Sequence, residues 1–141
     1  MRISESTIGQ TLSPLVKPPI AQEQLQRYAA ASGDYNPIHL DPAAARSVGL
    51  DGVIAHGMLS MAFLGQFVNQ QISDEPRARV ERIKVRYAGM VRLGDTLTCE
   101  GKVTGRAEGA TETAITLECW AQNQRGEPVT TAEAVVYVPR G

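Results

Sequence analysis

The chain has 141 residues and a mass of 15.2 kDa, inside the ~100–200 residue range of one domain and too short for separate cofactor and substrate domains. With 14 Lys and Arg against 15 Asp and Glu its net charge is −1, so no cationic excess is available to hold a nucleic-acid backbone. Hydrophobic residues at 43% describe a globular chain, while one Trp, four Tyr and two Phe leave little material for a pocket of stacked rings within one subunit.

In chain order, Met1 to Gln10 is polar and carries no charged-then-apolar signal pattern. No apolar run reaches the ~20 residues that cross a bilayer. The expectation is a cytoplasmic protein with no membrane partner. A strand is predicted over Thr11–Lys17, stopped by Pro18 and Pro19, which cannot donate to a central ladder. A helix follows over Gln22–Ser32, with Leu25, Tyr28 and Ala29 on one face and Gly33 placed to end it in a left-handed conformation. Beyond the loop Asp34–Leu40, Asp41-Pro42 reads as an N-cap with proline at the first helical position, opening a short helix that Gly49 closes.

Gly57–Ile72 is the longest apolar helix candidate. Met58, Leu59, Met61, Ala62, Phe63, Leu64, Phe67 and Val68 wrap nearly all the way round it, which predicts a helix surrounded by other structure. After Ser73–Arg77 the period changes to two. Ile83, Val85 and Tyr87 alternate with Arg82, Lys84 and Arg86, and further strands run through Leu97, Cys99 and Val103, through Ile115, Leu117, Cys119 and Ala121, and over Val129–Val138. Helices followed by antiparallel strands make one α+β domain over residues 1–141, its long helix lying against the concave face of a curved sheet. The unpaired edges of such a sheet predict a second copy, a homodimer or higher oligomer. Cys99 and Cys119 lack any ligand cluster and read as small core hydrophobes.

Two segments carry candidate chemistry. In Ser32-Gly33-Asp34-Tyr35-Asn36-Pro37-Ile38-His39-Leu40-Asp41, the proline restricts Asn36 to extended backbone, and the stiff loop holds Asp34 and His39 at a fixed separation. A carboxylate and an imidazole so placed suit acid–base work, although Asp and Asn are also ordinary turn formers. The second segment, Ile54-Ala55-His56-Gly57-Met58, puts a glycine at the mouth of the apolar helix. Unpaired N–H groups and the helix dipole there suit a carbonyl oxygen that gains negative charge. His56 reads equally well as helix-entry packing.

Together these segments resemble the signature of the MaoC-like dehydratases, the (R)-specific enoyl-CoA hydratase family: Tyr28…Ser32-Gly33-Asp34-x-Asn36-Pro37-Ile38-His39-x-Asp41, then Ala55-His56-Gly57-Met58-Leu59. The resemblance implies a hot-dog fold, a long central helix wrapped by a curved antiparallel sheet. It implies reversible addition of water to a trans-2-enoyl thioester of coenzyme A or an acyl carrier protein, giving the (R)-3-hydroxyacyl thioester. Asp34 and His39 match the catalytic pair, Asn36 a supporting position, and the Gly57 backbone N–H the donor to the thioester oxygen. His56, Met58 and Met61 are expected at the substrate. The acyl chain is expected between the long helix and a partner's surface, beside Met58, Met61 and Phe63, each of which also reads as ordinary core. The scheme needs no metal and no redox cofactor. One departure stands out: some hydratases have a serine five residues after the motif glycine, where this chain has Ala62, and the nearest serine is Ser60.

Two alternatives share the fold. One is an acyl-thioester thioesterase, against which the intact Asp34…His39 loop argues; the other is one subunit of a heteromeric dehydratase. The basic stretch Arg77, Arg79, Arg82, Lys84 and Arg86 reads either as a docking surface for coenzyme A phosphates or an acidic carrier protein, or as a solvated sheet face.

Overall fold

The computed structural model describes residues 2–140. Its strands are β1 (Leu15–Val16), β2 (Arg79–Tyr87), β3 (Thr98–Glu108), β4 (Glu112–Gln122) and β5 (Pro128–Pro139), and its helices are α1 (Gln22–Ser32), α2 (Pro42–Ser47) and α3 (Gly57–Ile72). The five strands form one antiparallel sheet in the order β1-β3-β4-β5-β2. Register shifts between Val80 and Arg82 and between Val103 and Gly105 are the bulges that let it curl. A curled sheet laid over α3 is the hot-dog arrangement.

Period-two burial holds where the sequence alternates. Cys99 and Val103 on β3, and Ile115, Leu117, Cys119 and Ala121 on β4, all reach 0% exposure on the concave face. From α3 they meet Leu59, Phe63, Leu64, Phe67, Val68 and Ile72. Gly101 is what allows the approach: a Cβ there would lie 3.1 Å from Phe67 Cε2 and 2.8 Å from the Glu118 carbonyl oxygen. A glycine inside a strand commonly marks such a close contact.

Two expectations are corrected. The strand predicted over Thr11–Lys17 shrinks to Leu15–Val16, with Thr11 making only an isolated bridge to Lys102. Pro14, which has no N–H to donate, interrupts it. The long helix is wrapped on one side only, because five strands cover its inner face and leave Met58, Ala62, Gln66, Asn69 and Gln70 exposed. Among the described residues no helix is long and apolar enough to cross a membrane.

Candidate active site

The loop after α1 is built from three successive side-chain-to-backbone turns. Gly33 ends α1 at φ 78°. Ser32 Oγ then accepts the Asp34 N–H at 3.2 Å, Asp34 Oδ1 accepts the Asn36 N–H at 3.1 Å, and Asn36 Oδ1 accepts the Ile38 N–H at 3.2 Å. Each is the local bond that Ser, Asp and Asn form in place of a regular ladder. The run delivers His39 to the end of a single 3-10 turn, Pro37–His39. Asp41 caps α2 through the Ala43 N–H, at 3.0 Å, and so has the structural role expected of it.

The second segment is strapped across this loop. Ile54 N–H donates to the Ile38 carbonyl at 3.1 Å, His39 Nδ1 donates to the Ile54 carbonyl at 2.8 Å, and His56 Nε2 donates to the Asp34 carbonyl at 3.0 Å. Each imidazole thus bonds the main chain of the other's segment. Carbonyl partners require the proton on Nδ1 of His39 and on Nε2 of His56. His39 Nε2 then faces Asp34 Oδ2 across 3.9 Å. The two rings stack with centroids 4.0 Å apart at 27°, and Tyr28 packs on His56 at 4.8 Å.

A cavity of about 220 Å³ opens here, lined by Tyr28, Ser32 and Asp34 and by His56, Gly57, Met58 and Tyr87. His39 and Asn36 are not among its lining residues; His39 reaches the site through its approach to Asp34. Of the expected acyl contacts, Met58 lines the cavity. Met61 lies behind Tyr87, whose hydroxyl reaches its sulfur at 3.8 Å. Phe63 takes the core alternative: it is 4% exposed and packed under Lys17 Nζ.

Three residues were not singled out as site residues from sequence. Tyr87 lies against the Cα of Gly57, where a Cβ would meet its ring at 3.4 Å. Tyr28 contributes the cavity's other phenol, and its pKa is raised by burial first, then by Tyr87 and Asp34. Thr130, paired with Tyr87 across β2 and β5, meets Ser60 Oγ at 2.6 Å, and Ser60 also donates to the Gly57 carbonyl at 2.8 Å. Period-two alternation puts Tyr87 on the inward face, but only the tertiary fold brings it to Gly57.

The remaining expectations divide. A carboxylate oxygen of Asp34 and one ring nitrogen each of His39 and His56 lie within 4.8 Å of one another, a closer grouping of possible ligands than their sequence spacing suggests. The basic stretch stands along β2, where Arg79 makes a two-pronged bond to Glu112 at 2.9 and 3.2 Å and Arg82 approaches Glu133 at 3.9 Å. None of these cations lines the cavity.

Comparison with known proteins places the family and the fold. Residues 4–123 match the MaoC like domain. The (R)-specific enoyl-CoA hydratase of Aeromonas caviae is 31% identical over 116 residues, covering 82% of this chain and 84% of that protein. The solved A. caviae (R)-hydratase superposes with a TM-score of 0.83 over 96% of this chain and 98% of its own, at 30% identity. The fatty acid synthase beta subunit hexB of Dothistroma septosporum is 34% identical over 127 residues, covering 89% of this chain, which spans only 6% of that much longer protein. The ChsH1-ChsH2 complex of Mycobacterium tuberculosis shares the fold, with a TM-score of 0.78 and 22% identity over 96% of this chain and 99% of that one.

Proposed function

We propose, from the premise that this chain belongs to the MaoC-like domain family, that it catalyses the reversible (R)-specific hydration of trans-2-enoyl thioesters. The single observation that carries the reading is the mutual strapping of the two motif segments. It sets Asp34 Oδ2 and His39 Nε2 3.9 Å apart, beside a cavity whose wall includes Gly57 at the start of α3.

A gap of that size is too long for a direct hydrogen bond and admits a water bonded to both atoms at about 2.8 Å. The pair takes one proton from this water as its oxygen bonds to Cβ. The thioester oxygen gains negative charge and is held by the Gly57 N–H, and a proton returns from the pair to Cα. Water is consumed whole and no electron is transferred, so the scheme calls on no metal or redox cofactor. Positioned acid–base groups contribute ~10²–10⁴-fold, and an oxyanion donor about 2.7–4 kcal/mol. Asn36 keeps the carboxylate in place by holding Oδ1, leaving Oδ2 for the water.

The cavity, at about 220 Å³, is smaller than the ~300–1,000 Å³ typical of ligand sites. Met58 is 55% exposed beside it, and the outer edge of β2 is unpaired among the described residues. These facts favour a site completed by a second subunit: another copy, or a related chain in a heteromeric dehydratase. The acyl group is carried on coenzyme A or an acyl carrier protein.

The test is to incubate the purified chain with a short trans-2-enoyl-CoA and follow both the conjugated double bond and free thiol. Hydration removes the double-bond absorbance, releases no thiol and gives the (R)-3-hydroxyacyl product. Thiol release with the double bond intact would instead mark a thioesterase.

A further inference from the structure

His56 is buried to 2% exposure, and its Nδ1 has no hydrogen-bond partner among the described residues. A bare buried nitrogen costs about 1–3 kcal/mol in desolvation, a cost that a leucine filling the same space would avoid. Packing alone therefore does not account for a histidine here. Its other nitrogen does: Nε2 donates to the Asp34 carbonyl at 3.0 Å. The remaining hydrogen bonds of Asp34 are local, from its own N–H to Ser32 and from the Asn36 N–H to its carboxylate. His56 thus supplies the long-range anchor at the Asp34 end of the loop, as Ile54 does at the His39 end through its bonds to Ile38 and His39.

We infer that His56 is a positioning residue that registers the acid–base pair against the Gly57 N–H. The inference rests on the hydratase reading above and deepens it. His56 immediately precedes Gly57 in the chain, so one residue ties the carboxylate's main chain to the oxyanion donor. Its ring also stacks on that of His39 at 4.0 Å, which, with the Ile54 carbonyl, fixes the plane in which His39 Nε2 points. His56 is among the residues lining the cavity, but at 2% exposure it holds no reacting atom in this scheme. It acts through Asp34, His39 and Gly57.

The experiment compares His56→Leu, which keeps the volume and loses the donor, with His56→Gln, whose amide can restore it. A misplacement of about 1 Å costs up to ~10²-fold in rate. The Leu variant is therefore expected to lose about 10²-fold in kcat with KM changed less than about threefold, and the Gln variant to recover about tenfold of that loss. A folded Leu variant with wild-type kcat, or a Gln variant no better than Leu, would overturn the inference. A readout independent of activity and of the variants' folding is the 15N spectrum of the wild-type histidines. It is expected to show His56 protonated on Nε2 with a bare Nδ1, and His39 the reverse. A His56 proton on Nδ1 would overturn the inference even if the enzyme is active. Conversely, a wild-type chain inert on every enoyl thioester would overturn the hydratase reading while the tautomer still decides the anchor.

Discussion

His39 Nε2 and Asp34 Oδ2 face each other across 3.9 Å, while the other ring nitrogen of His39, Nδ1, is held by the Ile54 carbonyl. The side chain of His39 is 9% exposed and that of Asp34 51%. The pair therefore joins a fixed, buried imidazole to a carboxylate open to solvent or to a partner chain. In the proposed reaction this gap is the place of the attacking water.

Gly57→Ala should fold normally, since the new Cβ would meet Tyr87 at 3.4 Å, an ordinary contact distance. The methyl group would stand in the cavity wall beside the proposed donor N–H. We expect kcat/KM to fall by about ten- to a hundredfold, part of the loss known for removing an oxyanion donor. Steady-state kinetics on an enoyl-CoA check this; unchanged kinetics would move the oxyanion site elsewhere.

Ser60→Ala should destabilise the chain by about 1–3 kcal/mol, because it strands the Thr130 hydroxyl in the core. Thr130 is 1% exposed and Ser60 4%. Adding Thr130→Val removes the stranded group, so the double variant should regain part of the loss in urea unfolding. Strictly additive losses would show that the 2.6 Å contact between the two hydroxyls is not an energetic pair.

Burial pushes both Cys99 and Cys119 up to about 12 from an ordinary 9.0. Folded thiols should therefore resist a thiol reagent at pH 8 and react only after unfolding. A raised pKa means that the folded chain holds its protons longer. This contribution to stability is complete below about pH 9 and is lost as pH rises through about 12. Replacing both cysteines by alanine should flatten the fall in urea midpoint between those limits, and an unchanged slope would contradict the assignment.

The grouping of Asp34, His39 and His56 within 4.8 Å makes a metal-dependent reaction a concrete competitor. Exhaustive treatment with EDTA should leave hydration rates unchanged. Loss of activity restored by a single divalent metal would replace the acid–base reading.

Much of this was legible in the sequence where local chemistry decides the conformation. Gln22–Ser32 and Gly57–Ile72 begin and end where periodicity, Gly33 and the charged break put them. The Asp41 cap and the alternation of β4 also follow from neighbouring residues alone. Departures arise where distant segments compete. Leu12 is buried to 4% although Pro14 breaks its strand, and Met58 lies open although its helix is apolar, because the reach of the sheet is not written in the helix. At the site, the motif pointed to Asp34, His39 and Gly57 as candidates. The strap through His56 Nε2, the wall formed by Tyr87 and the Ser60–Thr130 contact needed the fold, since each joins residues separated by 22 to 70 positions or lying on different elements.

The most direct measurement is the hydration rate of a short trans-2-enoyl-CoA by wild type, Asp34→Asn and His39→Gln, with folding of each checked by thermal unfolding. The account predicts (R)-3-hydroxyacyl-CoA from the wild type and losses of about 10²–10⁴-fold in both variants with the fold intact. Near-full activity in either folded variant would contradict it.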